Sequence, residues 1–279
     1  MKDIKEIIKK IEKLKPFSPT YLKIKKMLSD PYVAAQKIVD VIKYDQSFTA
    51  NILKICNSAL YRRSYNISNL VQAIALLGNN QIKRIILLES FGEIMGASYQ
   101  GYEINEKELW RHSVITALIT EEIGTRIGVK DIDTLFTAAI LHDIGKVVLS
   151  EYVKEEFEDI IKLVKDQNYD FLSAEKLVIG MNHSEIGAEI LKKWQFPSVL
   201  IDAVQFHHDP DQCPDNEVVA IVNLGDTISM LMGTITQRDG MAYRSFPEIC
   251  KKLKIKEKDI ERIISSVTSK ISAVEEMIL

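Results

Sequence analysis

Apolar residues recur in this chain at intervals of three and four from near its start to its end, and nowhere do they alternate between hairpin turn signals. That periodicity restricts the fold to packed helices, each burying one stripe. Ile4, Ile7, Ile8, Ile11 and Leu14 form a first amphipathic helix, ended by Pro16. A second is expected to begin at Asp30-Pro31 and bury Val33, Ile38, Val39 and Ile42, and a third runs through Phe48, Ile52, Leu53 and Cys56. Ser68 is placed to cap a fourth helix through Val71, Ile74 and Leu77, which Gly78 closes with a positive φ. Ile82, Ile85, Ile86 and Leu88 repeat the pattern to about Met95. Gly96, Ser98, Gly101 and Asn105 then interrupt it, so two helical halves are expected, 1–95 and 106–279.

The second half opens with a helix from about Glu106 through Leu109, Trp110, Val114, Leu118 and Ile123 to Gly128. A helix from near Asp131 carries Leu135, Ala138, Ala139 and Leu141 and is expected to stop at Gly145. Later stripes are Ile186, Ile190 and Leu191; Val199, Leu200 and Val204; Val218, Ile221, Val222 and Ile228; and, last, Ile260, Ile263, Ile264, Val267, Ile271 and Val274.

Composition narrows the function classes. At 279 residues and 46 % apolar, the chain can bury a sizeable core, and a formal charge of -3 gives no positive field to gather phosphate backbones. Nucleic acid is therefore not expected as a principal partner. Cys56, Cys213 and Cys250 lack C-x-x-C spacing and suit a reducing cytoplasm as small, mostly buried hydrophobes. The charged N-terminus has no signal-peptide core, and no apolar run reaches membrane-spanning length, so a cytoplasmic protein without membrane contact is expected.

All five histidines, His112, His142, His183, His207 and His208, fall in the second half, and two of them directly precede an aspartate. Imidazole nitrogens and carboxylate oxygens together hold Zn, Fe, Mn and similar ions, and separate helices of a bundle can supply them to one place. On a helix, His142 and Asp143 would point about 100° apart and could serve different ions. Asp226 stands inside an apolar helix, where a carboxylate needs a cation or a proton. Taken singly, each also reads as a packed or surface residue: His207-His208 as a helix end favourable to the dipole, Asp226 as a solvated group. Asn57, Ser58 and Tyr61 read as a polar turn, Trp110 and Trp194 as core anchors, and Met230, Met232 and Met241 as gap-fillers.

At His112, His142-Asp143 and Asp226 the sequence resembles the HD superfamily of metal-dependent phosphohydrolases. His183 and His207-His208 look like the extra histidines of two-metal members, and Glu108, one turn before His112, resembles a further carboxylate ligand. Asp45-Gln46-Ser47-Phe48-Thr49-Ala50, Asn57-Ser58-Ala59-Leu60-Tyr61 and Ala73-Ile74-Ala75-Leu76-Leu77-Gly78 are similar to the HDOD domain of bacterial signalling proteins. Leu141-His142-Asp143-Ile144-Gly145-Lys146, His183-Ser184-Glu185-Ile186-Gly187-Ala188 and Trp194-Gln195-Phe196-Pro197 fit the same family. The resemblance covers about Pro16 to Asp226. It implies an all-α HDOD fold with an HD-type helical bundle in the second half and one or two divalent ions, Fe, Mn or Zn.

By that resemblance His112, His142, Asp143 and Asp226 hold metal, with Glu108, His183, His207 and His208 available to a second ion. It implies first a signal-transduction protein whose partner is a signalling protein or a nucleotide ligand. It implies second a phosphohydrolase of nucleotides or cyclic nucleotides, with Asp143 and Lys146 in catalytic roles and Lys146 meeting a phosphate as a point charge. Lys146 reads equally as a solvated helix-end residue. The segment after His207-His208 lacks the Gly-Tyr-Pro motif of HD-GYP enzymes, which points away from cyclic di-GMP hydrolysis.

Overall fold

The computed structural model describes residues 7–9, 11, 19–27, 30, 33–44, 46–57, 67–95, 108–167, 169–234 and 246–278, and among them every regular element is helical. The all-helical expectation holds. No helix among the described residues is long and apolar enough to cross a membrane. The chain divides into two units, Lys15–Ile94 with Thr268–Leu279, and Met1–Leu14 with Met95–Val267. The expected boundary at Gly96 to Asn105 lies outside the described residues, as do most of the first helix, Ser58, Tyr61 and Met241.

The first unit contains α1 (Pro19–Met27), α2 (Ala35–Ile42), α3 (Gln46–Cys56) and α4 (Leu70–Met95). Periodicity reading passed over α1 because two prolines bracket its start, yet Pro19 is its first residue, where a missing N–H costs nothing. It buries Tyr21 and Ile24. Helix α2 starts at Ala35 rather than at Asp30-Pro31, because Ala34 is extended (φ -67°, ψ 135°) and leaves Val33 half-buried ahead of the helix. Asn69, not Ser68, caps α4: its Oδ1 accepts from the Gln72 N–H at 3.0 Å. Gly78 takes the expected positive φ (76°), but helix resumes beyond it at once, so it kinks α4 instead of ending it. Val71 stays exposed while Ala73 is buried.

The polar-turn reading of Asn57 holds. Its side-chain amide donates to the carbonyls of Leu53 (2.9 Å) and Ile67 (2.8 Å), and its Oδ1 accepts from the Ile67 N–H (2.8 Å). Asn57→Ala leaves the Ile67 groups without these partners and is expected to destabilise the chain by about 2 kcal/mol, read from the denaturant midpoint. An unchanged midpoint would show that water replaces the clamp at no cost.

The second unit carries α5 (Glu108–Ile127), α6 (Ile132–Leu141), α7 (Ile144–Asp166), α8 (Phe171–Ile179), α9 (His183–Lys193), α10 (Ser198–Phe206), a 3₁₀ turn (Pro210–Gln212), α11 (Glu217–Leu231) and α12 (Phe246–Lys252), and α13 (Glu257–Ile278) begins in it. Helix α5 packs on α6 and α11, α7 on α8 and α9, and α9 on α10. Asp131 caps α6 by accepting from the Thr134 N–H. Helix α6 stops at Leu141, not at Gly145; His142 and Asp143 form the junction, and Gly145 lies in the first turn of α7. A Cβ on Gly145 would fall on the main-chain carbonyl of His183, so its smallness permits α7 and α9 to meet end to end. The length of α7 was not legible because charged residues from Glu151 to Glu158 separate its buried positions, Val148 and Leu149, from Ile160 and Val164. Cys56 is buried and Cys213 and Cys250 half-buried, all three free; Trp110 is buried and Trp194 half-buried.

Candidate metal centre

Helix ends deliver most of the histidines. His112 stands one turn into α5, His142 and Asp143 fill the α6–α7 junction, His183 is the first residue of α9, and His207-His208 follow the last residue of α10. Asp226 comes from mid-α11. All belong to the second unit. His112, His142, Asp143, His183, His207 and Asp226 are buried and His208 is half-buried, so the solvated reading of Asp226 fails. His142 and Asp143 stand where the helix breaks between α6 and α7, with His142 Nε2 3.3 Å from Asp143 Oδ2, and the two fall in different metal-competent groups.

Asp143 bridges two groups of ligands. Its Oδ2 lies 3.3 Å from His142 Nε2 and 3.7 Å from His112 Nε2; Asp226 Oδ1 lies 3.0 Å from His112 Nε2 and 3.7 Å from His142 Nε2. Its Oδ1 lies 3.5 Å from His183 Nε2 and 3.8 Å from His207 Nε2, and His183 and His208 approach Nε2 to Nε2 at 3.0 Å. The structure thus presents two metal-competent groups, His112, His142 and Asp226 on one side and Asp143, His183, His207 and His208 on the other, each with its ligand atoms within 4.8 Å of one another. Glu108 opens α5 half-buried and belongs to neither group.

The other ring nitrogen of four histidines is anchored. His142 Nδ1 donates to the Ala139 carbonyl (2.7 Å), His207 Nδ1 to the Val204 carbonyl (2.8 Å), and His183 Nδ1 to Glu175 Oε2 (2.8 Å). His112 Nδ1 meets Thr234 Oγ1 at 2.9 Å, whose own hydrogen goes to the Ser229 carbonyl. With the hydrogen on Nδ1, the Nε2 of His142, His183 and His207 carries a lone pair, and those of His142 and His207 face the carboxylate of Asp143. Lone pairs facing one another in a buried place repel unless a cation or a proton lies between them. His142 Nε2, His207 Nε2 and Asp143 Oδ1 accordingly have no hydrogen-bond partner. Divalent ions, one in each group, would satisfy all three, so the residues present fit the metal that the sequence implied.

Electrostatics agree. Burial, reinforced by the nearby His142 charge, pushes His207 from the usual 6.5 down to about 3, and burial with His207 and His183 pushes His208 down as well. Both shifts favour the neutral rings, the form in which an imidazole can hold a cation, over a charge on the α10 dipole. Burial works against the charge of His142, yet Asp143 and Asp226 raise its pKa. Burial also opposes ionisation of Asp143, but Lys146 and His142 hold it well below the carboxylate range; for Asp226, His112 and His142 do the same. Lys146 is not solvated: it is buried, with Nζ 2.9 Å from Asp143 Oδ2.

A pH dependence follows for the metal-free chain. Histidines whose folded pKa is depressed contribute stability above the unfolded value, lost as pH falls from 6.5 toward the folded value near 3. His142, shifted the other way, loses its contribution as pH rises above 6.5. EDTA-treated protein is expected to lose up to about 1.4 kcal/mol per pH unit for each of His207 and His208 on acidification below pH 6.5, measured by urea unfolding at pH 7 and pH 5. Equal stabilities at the two values would show that these rings are protonated in the fold.

A cavity of about 650 Å³ reaches the centre on one side, where His183 and His208 line it with Phe171, Phe206, Asn182 and Lys176. Sequence reading missed Glu175, which holds the His183 ring, Ser229 and Thr234, which meet His112 Nδ1, and Asn223, which donates to the His207 carbonyl at 2.6 Å. For Glu175 a signal existed: it shares the buried stripe of α8 with Phe171, Ala174 and Ile179, an acid where an apolar residue is due.

Residues 14–210 match the family model of the HDOD domain. The chain belongs to the HDOD family. A solved HDOD domain protein of unknown function from Geobacter sulfurreducens is 25 % identical and superposes with a TM-score of 0.72, covering 98 % of this chain and 94 % of its own. An uncharacterised Treponema pallidum protein is 22 % identical over 233 residues, which are 81 % of this chain and 44 % of that protein. Ribonuclease Y of Mycoplasma mycoides subsp. mycoides is 26 % identical over 156 residues, 56 % of this chain and 23 % of that protein. The HDOD chain therefore spans less than half the length of these two curated relatives.

Proposed function

We propose that this chain is a cytoplasmic regulatory protein of the bacterial signal-transduction type, built on an HDOD module that holds one or two divalent ions, Fe, Mn or Zn. The observation that carries this reading is the set of buried acceptor atoms, His142 Nε2, His207 Nε2 and Asp143 Oδ1, that face one another without a hydrogen-bond partner. His112, His142 and Asp226, with Asp143 Oδ2, would hold one ion; His183, His207 and His208, with Asp143 Oδ1, would hold the other. Five of these seven residues do not line the cavity, so the two ions together would belong to the core and would couple α5, α11, the α6–α7 junction and the ends of α9 and α10 into one state that a signalling protein or a nucleotide could read.

The experiment is elemental analysis of the chain purified without added metal, followed by capture of partners beside a phosphoester panel. Near-stoichiometric metal with a saturable partner and no turnover supports the regulatory role. Background metal after supplementation with each of the three ions sinks it.

The cavity favours a second reading, a metal-dependent phosphohydrolase of nucleotides or cyclic nucleotides. Its 650 Å³ is of nucleotide size, and it meets His183 and His208 directly. A divalent ion there supplies electrostatic stabilisation of a phosphoryl group and a more acidic water. Lys146 serves by holding Asp143 in place, and the likeness to Ribonuclease Y is in keeping with phosphoester chemistry. Efficient hydrolysis of any panel member by the metal-loaded chain, lost on chelation, would assign this function.

A further inference from the structure

Glu175 is fully buried on α8, a helix that contributes no residue to either metal-competent group. Its Oε2 accepts two hydrogen bonds from one residue, the main-chain N–H of His183 at 3.0 Å and the ring Nδ1–H of His183 at 2.8 Å. A role in capping α9 accounts only for the first. That helix end already has a reciprocal cap, in which Asn182 Oδ1 accepts from the Glu185 N–H (2.8 Å) and Glu185 Oε2 from the Asn182 N–H (3.1 Å). The bond to the imidazole does nothing for the helix. It fixes the tautomer, so that Nε2 carries the lone pair, and it fixes the ring plane, so that this lone pair faces Asp143 Oδ1 at 3.5 Å and His208 Nε2 at 3.0 Å.

The four anchors are also chemically unlike. The Nδ1 of His142 and of His207 donates to a main-chain carbonyl and that of His112 pairs with hydroxyls, whereas among these four Nδ1 atoms that of His183 alone meets an acid. A carboxylate raises the basicity of the imidazole it orients more than a neutral oxygen does. His183 is also one of the two ligands that line the cavity, where water competes for an ion.

We infer that Glu175 is a positioning residue that makes His183 a strong ligand of the ion on the cavity side, and that this ion, not the one held by His112, His142 and Asp226, depends on it. The inference rests on the metal-binding reading above.

The test uses the full chain, titrated with Co(II) after chelation. Ions retained per chain are counted after gel filtration, and the visible spectrum of the bound cobalt is recorded. Wild type is expected to retain two. Glu175→Gln, which keeps shape and a main-chain acceptor, is expected to weaken the second ion about 10-fold, and Glu175→Ala about 100-fold, with the first ion and its spectrum unchanged. Glu185→Gln, which loosens the same helix end without touching the His183 ring, is expected to lower the melting temperature and keep both ions. Retention of both ions at wild-type affinity in the Glu175 variants overturns the assignment, as does equal loss of the second ion in Glu185→Gln. A wild-type chain that takes up no cobalt overturns the metal reading itself, an outcome distinct from either.

Discussion

Asp143→Asn is expected to strip the chain of both ions, lowering affinity at each site at least about 100-fold, while Asp226→Asn affects one site. The difference lies in the bridge. Asp143 gives Oδ2 to the side of His112 and His142 and Oδ1 to the side of His183 and His207, whereas Asp226 faces only the first pair. An asparagine keeps the volume but loses the charge and one acceptor oxygen, so one group loses its only carboxylate and the other loses the Oδ2 that lies 3.3 Å from His142 Nε2. The same change deprives the buried Lys146 of its 2.9 Å charge partner, and removing one member of a buried pair costs about 3–5 kcal/mol. The double variant Asp143→Asn/Lys146→Met should recover much of that stability without recovering metal. Metal content by elemental analysis and denaturant unfolding separate the two effects. One full equivalent of metal in Asp143→Asn would contradict the bridging role.

Gly145→Ala is the second large effect expected, and here the cause is steric. A methyl group at Gly145 would meet the main-chain carbonyl of His183, and both atoms sit on helix ends that cannot yield by turning a side chain. Overpacking of this kind costs about 1–3 kcal/mol, with the upper end expected where backbone meets backbone. The displacement also carries His183 away from Asp143 Oδ1, so the cavity-side ion should be lost first. Thermal unfolding of the metal-free chain reads the first consequence, and the second ion in a Co(II) titration reads the other. A melting temperature within about 2 °C of wild type would mean that α7 and α9 separate freely and that their contact does not hold the centre together.

Much of the fold was legible because burial imposes its spacing directly on the sequence. Ile38 with Ile42, Ile52 with Cys56, and Ile186 with Ile190 and Leu191 are buried on the helices their periodicity predicted. What failed was local. The start of α2, the cap of α4 and the end of α6 each turn on one or two backbone angles, and the missed α1 and α7 carry prolines at the start or charges in the middle that mask the stripe. Gly145 was read as a helix stop by its lack of a Cβ; the same lack serves a contact with a residue 38 positions later, which no local rule contains.

The candidate ligands were legible by type. Histidines confined to one half, a His-Asp pair, and Asp226 on an apolar stripe are chemical anomalies in a row of letters, and the structure brings seven of the eight proposed ligands into two adjacent groups. The eighth, Glu108, lies in neither.

Periodicity by itself determined that this chain is helical and residue chemistry which side chains could meet a cation, while the order of its motifs carried the resemblance to HDOD proteins that the family match bears out. Only the tertiary structure decided that Asp143 lies between the two groups, that Lys146 is buried against it, and that Glu175 stands behind His183. Those are relations between helix ends far apart in the chain, set by how the helices pack, and packing distance has no counterpart in sequence spacing.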